Sequence, residues 1–210
     1  MDSVVEKDLR SVNINKIAGI DEAGRGCGAG PVVAAGVMLS PNHKIEGLND
    51  SKKLSAKKRD YLAELIYERA IDIQIAEAHH KEIDEINILN ATKKCIKSIT
   101  KRFKCNPDIF VIDGVFSFKD EYSLDKPYMT LPKGDTLSEN VAAASIIAKV
   151  YRDNYMKVAA HRVYPEYSFD KHKGYLTKAH IKALYEHGPC PIHRMTFTVK
   201  GIYIKDIKHG

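Results

Sequence analysis

Lys16-Ile17-Ala18-Gly19-Ile20-Asp21-Glu22-Ala23-Gly24-Arg25-Gly26 carries an apolar run straight into two carboxylates and then into a cationic glycine turn. The run over 17–20 reads as a buried strand. Ionised side chains at the end of such an element need partners or a metal to offset their lost hydration. A second apolar run, Val32–Leu39, follows the turn, and so short a connection predicts an antiparallel pair. Neighbouring side chains in a regular strand point to opposite faces. Asp21 and Glu22 therefore serve one site only if the backbone twists or the strand ends between them, which Gly19, Gly24 and Gly26 permit.

Outward from this hairpin the periodicity changes repeatedly. Ser55 is placed to cap a helix whose apolar positions Leu62, Leu65, Ile66 and Ala70 recur at helical spacing. Ile71, Ile73 and Ile75 then alternate with Asp72, Gln74 and Ala76, which predicts a strand. A longer helix over 88–103 is interrupted at Pro107, and 109–112 reads as a short, fully buried strand ending at Asp113-Gly114. Tyr128–Leu131 is a weaker strand ended by Pro132-Lys133-Gly134-Asp135. Residues 141–148 are apolar nearly all round, as a helix sandwiched in a core requires. A last helix over 177–187 is closed by Gly188-Pro189. Strands early and helices late predict an α/β fold: a mixed sheet with helices on its faces and a helical C-terminal extension.

The 210 residues are 44% hydrophobic and carry a formal charge of +6, which favours polyanionic partners. The longest apolar stretch, 29–39, is about a dozen residues and contains Gly and Pro, too short to span a bilayer, so no membrane association is expected. The first residues show neither a basic segment nor an apolar one of the secretory kind, which predicts a cytoplasmic protein. Cys27, Cys95, Cys105 and Cys190 form no Cys-x-x-Cys pair and are expected to be reduced thiols. Cys190, His193 and His187 have ligand-like separations, but no second pair lies nearby in sequence, so structural zinc is not expected.

Asp113 follows an apolar strand and Asp135 precedes a buried helix. If those strands are neighbours, Asp21, Glu22, Asp113 and Asp135 gather at one edge of the sheet. Four carboxylates that close repel and partly protonate unless a divalent cation compensates them. Hard oxygen ligands select Mg²⁺ or Mn²⁺ over zinc. Two such ions about 3.5 to 4 Å apart form the arrangement that stabilises attacking and leaving oxygens in phosphodiester hydrolysis.

Six blocks together are similar to bacterial ribonuclease HII in order and spacing. They are Asp21-Glu22-Ala23-Gly24-Arg25-Gly26; Asn49-Asp50-Ser51-Lys52-Lys53-Leu54; Ile112-Asp113-Gly114; Lys133-Gly134-Asp135; the run 142–153; and His172-Lys173-Gly174-Tyr175 with His193-Arg194 and Phe197. The resemblance implies a ribonuclease H-like mixed five-stranded sheet flanked by helices. The first fifteen residues are polar and are expected to be a flexible N-terminal segment (1–15), followed by a catalytic domain (16–164) and a C-terminal helical substrate-binding extension (165–210). The resemblance also implies a monomeric endonuclease acting on RNA/DNA hybrids and on single ribonucleotides in duplex DNA.

By position, Asp21, Glu22, Asp113 and Asp135 would be the catalytic metal ligands, with Mn²⁺ or Mg²⁺ as cofactor. Asp153 would stand aside, paired with Arg152 on a helix surface. Gly24, Arg25 and Gly26 would read the 2′-hydroxyl, and Tyr175 would pack on the neighbouring sugar. Ser51, Lys52 and Lys53, then Lys171, His172, Lys173, His193 and Arg194, would contact phosphates. Lys149, on an otherwise apolar helix, would snorkel or pair with an acid. At a lone ribonucleotide the phosphate on its 5′ side follows a deoxyribose, so no adjacent 2′-hydroxyl can attack it, and water must be the nucleophile. Cys27-Gly28 and 137–141 depart from the resembled pattern beside the inferred site.

Overall fold

The computed structural model describes residues 3–207. They form two compact units. The first takes the chain up to Ala23, then Val33–Ala76 and Thr92–Val150; the second takes Gly24–Val32, Glu77–Ala91 and the chain from Tyr151 onward. This division differs from a single boundary between 164 and 165, because two early segments pack with the C-terminal part.

The first unit is built on a five-stranded mixed sheet of order β3-β2-β1-β4-β5. Its strands are β1 (Ile17–Ala23), β2 (Val32–Leu39), β3 (Ala70–Ala78), β4 (Ile109–Asp113) and β5 (Tyr128–Leu131). β1 pairs antiparallel with β2, Ile20 opposite Gly36, and parallel with β4, Ile20 beside Ile112. β5 extends the sheet parallel to β4, with Asp113 opposite Leu131. The strands that were legible as fully apolar runs are the central ones, since only strands covered on both faces lack alternation. β2 is buried at every position.

Helices α1 (Val4–Ser11), α2 (Ala56–Arg69), α3 (His80–Arg102) and α4 (Glu139–Asn154) complete the main elements around the sheet. Ser55 caps α2 as its sequence position predicts, its Oγ accepting from the Lys58 N–H at 3.2 Å, a contact worth about 1 kcal/mol. α3 begins earlier than periodicity suggested and is broken at Asn87, where φ is 64°. α4 is the sandwiched helix: its residues Ala142, Ala143, Ala144, Ile146, Ile147 and Ala148 share a buried cluster with β2 and with Leu62, Ala63 and Ile66 of α2. Gly19 is what lets β1 lie against the start of α4. A Cβ there would stand 2.2 Å from the Asn140 carbonyl carbon and from the Val141 nitrogen.

The N-terminal segment differs from the loosely held stretch that its polarity suggests. It forms α1, whose Glu6 is fully buried. The Glu6 carboxylate accepts from Ser3 Oγ, from Ser138 Oγ at 2.6 Å, and from the Asn140 N–H and Nδ2 at 3.1 and 2.9 Å. An acid at the N-terminus of α4 satisfies donors the helix itself leaves unpaired and complements its dipole.

The second unit has its own core of Met156, Tyr167, Phe169, Leu184, Ile192 and Ile204, among others. It contains the helix Lys178–His187, capped by Thr177 and ended at Gly188. The end of the chain is more regular than its basic composition suggests: Thr198–Val199 and Ile202–Tyr203 make a short antiparallel hairpin. No helix among the described residues is long and apolar enough to cross a membrane.

Candidate active site

In the first unit, β1 and β4 run parallel, and their last paired residues are Ile20 and Ile112. Asp21 and Asp113 are the next residue on each strand. The parallel register therefore places both carboxylates at the same end of the two central strands. β1 does not stop before its acids; it continues through Glu22 to Ala23. Asp21 is buried and Glu22 half-buried, with the Glu22 N–H donating to Asp21 Oδ1 at 2.6 Å.

Asp135 arrives from beyond β5. Lys133 adopts a left-handed conformation, φ 60°, and starts a 3₁₀ turn over Gly134–Thr136. The Gly134 N–H donates to Asp113 Oδ1 at 2.7 Å, which fixes the turn against the end of β4. Asp135 is buried beside this contact, only 6% exposed.

The electrostatics show that the acids act on one another. Burial, then the charges of Glu22, Asp113 and Asp135, hold the Asp21 carboxyl well above the usual carboxylate range. Asp135 is pushed up to about 6 by burial, then by Asp50 and Asp113, against an opposing effect of Lys52. Asp50 is the residue that sequence reasoning missed. Its side chain hydrogen-bonds Asp135 and also caps the 51–53 turn by accepting from the Lys52 N–H at 2.8 Å. It stands inside the Asn49-Asp50-Ser51-Lys52-Lys53-Leu54 block, where its neighbours drew attention for their positive charge.

A carboxyl raised by burial and by neighbouring carboxylates is one whose charged form added positive charge would stabilise. That is the electrostatic demand a divalent ion meets, and an all-oxygen donor set suits Mg²⁺ or Mn²⁺. Among the described residues no three His, Cys, Asp or Glu side chains are gathered closely enough to enclose an ion unaided. An open carboxylate edge of this kind fits Mg²⁺ chemistry, in which water and substrate phosphate complete the coordination.

The other residues singled out by sequence divide sharply. Ser51 is buried, while Lys52 and Lys53 are exposed on the first unit. In the second unit Arg25 and Gly26 are exposed, Gly24 is buried at φ 94°, and Tyr175 is 39% exposed. Cys27 and Tyr175 face each other in an isolated antiparallel bridge, and the Gly28 N–H donates to the Gly174 carbonyl at 2.9 Å. Burial raises the Tyr175 phenol, with a further contribution from Cys27. The glycine turn and Tyr175, some 150 residues apart in sequence, are thus brought together.

Arg194, His172 and His193 are corrections. Arg194 is fully buried and cannot reach a phosphate from the surface. Its Nε and Nη1 donate to the Gly30 and Arg25 carbonyls, both at 3.0 Å, and its plane lies over Phe197 at 5.0 Å. Its remaining nitrogen, Nη2, is buried without a hydrogen-bond partner among the described residues, and burial brings the guanidinium down to about 9. His172 and His193 are buried too, with burial lowering both. Arg152, expected on a helix surface beside Asp153, is fully buried and donates to the carbonyls of Pro31, Lys173 and Ala29 at 2.8, 2.9 and 3.0 Å. Charge in a sequence suggests solvent; these two arginines spend theirs on backbone carbonyls that turn geometry leaves unpaired. Lys173 is half-buried with φ 54°, its ammonium donating to the Asp170 carbonyl.

The model of the family described as Ribonuclease HII matches residues 18–200. A ribonuclease HII of Acetivibrio thermocellus is 48% identical over 195 residues, covering 93% of this chain and 74% of the relative. In the PCNA:RNase HII complex from Archaeoglobus fulgidus, the matching chain is 29% identical with a TM-score of 0.74, over 91% of this chain and 99% of that one. Ribonuclease H2 from Pyrococcus horikoshii matches at 26% identity and a TM-score of 0.72, over 87% of this chain and 93% of that one. With the family model spanning residues 18–200, and with 48% identity to a relative over 93% of this chain, the protein belongs to the ribonuclease HII family and is a ribonuclease H, a hydrolytic endonuclease.

Proposed function

We propose that the protein hydrolyses the RNA strand of RNA/DNA hybrids and also cuts on the 5′ side of single ribonucleotides embedded in duplex DNA, leaving 3′-hydroxyl and 5′-phosphate ends. The observation that carries this reading is geometric: the parallel strands β1 and β4 carry Asp21 and Asp113 at the same end, and the Gly134 N–H, donating to Asp113 Oδ1 at 2.7 Å, fixes the turn that carries Asp135. Asp21, Glu22, Asp113 and Asp135 would hold two Mg²⁺ or Mn²⁺ ions. Bound there, the ions supply positive charge that activates water and stabilises the departing oxygen. Asp113 is oriented for that task by the Gly134 N–H, and Asp21 by the Glu22 N–H.

Recognition of the sugar is assigned to the second unit. Gly24, Arg25 and Gly26 would read the ribose 2′-hydroxyl, the group that distinguishes RNA from DNA at one position. Tyr175 would pack on the adjoining sugar, and Ser51, Lys52, Lys53 and Lys173 would meet phosphates. We assign to His172, His193 and Arg194 the support of these loops. The protein would act as a cytoplasmic monomer in the removal of ribonucleotides from DNA.

The test is a duplex carrying one ribonucleotide, incubated with Mg²⁺ or Mn²⁺ beside an all-DNA control and a uniform RNA/DNA hybrid. Cleavage 5′ of the ribonucleotide with 3′-hydroxyl and 5′-phosphate ends is expected. Cyclic phosphate ends, or equal cutting of pure DNA, would overturn the reading.

A further inference from the structure

Three histidines lie buried together in the second unit. His172 and His180 stack at 4.5 Å with planes 13° apart, and His180 Nε2 meets His193 Nε2 at 2.9 Å. Histidine ordinarily titrates near neutral pH, so three in contact would repel if charged. Hydrogen bonding to fixed backbone groups resolves their state. His193 Nδ1 lies 2.9 Å from the Cys190 N–H, which can only donate, and 3.2 Å from the Cys190 carbonyl; the shorter contact makes that nitrogen an acceptor. The Tyr175 carbonyl can only accept, and it meets His180 Nδ1 at 3.0 Å, making that nitrogen a donor. With each ring neutral, one arrangement satisfies both ends: His193 Nε2–H donates to His180 Nε2. The same logic puts the His172 proton on Nε2, which donates to the Tyr167 carbonyl at 2.7 Å, while Nδ1 accepts from the Gly174 N–H at 3.3 Å.

We propose that His193, His180 and His172 form a neutral imidazole relay whose purpose is to position the Gly174-Tyr175 backbone, and so to aim the exposed Tyr175 ring at the ribose. The assignment rests on the reading of Tyr175 as the sugar-packing aromatic. These histidines are positioning residues and touch no substrate. The relay joins the backbone before His193 to the carbonyl of Tyr175, and the His172 ring fixes the amide just before it. Arg152 completes the clamp through the Lys173 carbonyl at 2.9 Å.

The surroundings favour neutrality. Tyr167 and Phe169 lie against the rings of His180 and His193. Lys173 and Asp170 act on His172 with opposite sign, and His80 acts on His193. Cys190, Glu166 and His187 lie around Tyr167, and Arg194 follows His193 in sequence. Burial brings His180 down to about 4 and His193 to about 3, and lowers His172, which favours the uncharged rings that the hydrogen-bond geometry requires.

Two experiments on the full chain test this. Long-range ¹H–¹⁵N spectra of the histidine rings should show His180 as the Nδ1–H tautomer and His172 and His193 as Nε2–H tautomers, all neutral from pH 5.5 to 8. A charged ring or the opposite tautomer at His180 or His193 overturns the relay without touching the reading of Tyr175. Kinetics on the one-ribonucleotide duplex then test its purpose. His180→Leu should lower kcat/KM about ten- to a hundredfold, as misplacement of a positioning group does, but should cost little more in a Tyr175→Ala background. His180→Asn, whose amide keeps a donor near the Nδ1 position, should recover most of the loss and serves where the leucine variant does not fold. Equal losses in both backgrounds would refute action through Tyr175, and an inert Tyr175→Ala would instead remove the reading on which the proposal stands.

Discussion

Neutralising one acid of the catalytic edge should stabilise the metal-free protein while destroying its activity. Asp135 is raised from 3.8 to about 6, with burial the largest cause and Asp50 next. A carboxyl whose folded value lies above its unfolded value binds more protons when folded, so its contribution makes stability fall as pH rises between those two values. At about 1.4 kcal/mol for each factor of ten in proton affinity the unscreened penalty would be about 1 kcal/mol at pH 4.5 and about 3 kcal/mol at pH 7, and solvent screening brings these to roughly 0.5 and roughly 1.5 kcal/mol. Asp135→Asn removes that charge, and its amide donates to Asp50 where a shared proton would otherwise be required. Urea unfolding in chelator should therefore show the variant more stable than the parent by roughly 0.5 kcal/mol at pH 4.5 and by roughly 1.5 kcal/mol at pH 7. Adding Mg²⁺ or Mn²⁺ should narrow or reverse the difference, since ion binding stabilises the parent by mass action and the variant offers one charge fewer. A variant equally or less stable than the parent in chelator at both pH values would refute the electrostatic account of this edge.

Asp113→Asn should reduce kcat on the one-ribonucleotide duplex about a hundred- to a thousandfold, the several kcal/mol of transition-state charge stabilisation that metal sites provide, with an unchanged far-ultraviolet spectrum; normal turnover would show the acid idle. Gly24→Ala should cost about 2–4 kcal/mol in denaturant unfolding, because Gly24 sits at φ 94° and a Cβ there would lie 2.0 Å from Arg152 Nε; a loss under about 0.5 kcal/mol would mean that the turn relaxes freely. Glu6→Ala should cost about 3 kcal/mol in the same assay, since it strands the Ser138 hydroxyl and two Asn140 donors inside the protein; an unchanged midpoint would return the N-terminal segment to the loosely held state its polarity suggests.

The sequence by itself determined the central strands, the capped helix after Ser55 and the all-apolar helix before Asn154, and it marked Asp21 and Glu22 in a strand that runs into a glycine turn, because hydrophobic periodicity, cap residues and strand ends are local properties. It also placed Asp113 and Asp135 as candidates, although their meeting depended on whether β4 lies beside β1. Only the tertiary structure decided that adjacency, since parallel partners are chosen by packing of distant segments. It also decided what the polar residues near those elements do. Asp50 proved to act on Asp135, Arg152 and Arg194 turned inward onto carbonyls, Glu6 became the buried cap of α4, and His172 and His193, read as phosphate contacts, proved buried beside His180. A charged or titratable side chain carries no periodic signal of its own burial. Its state is fixed by the backbone donors and acceptors that the fold brings to it, and those come from segments far away in the chain.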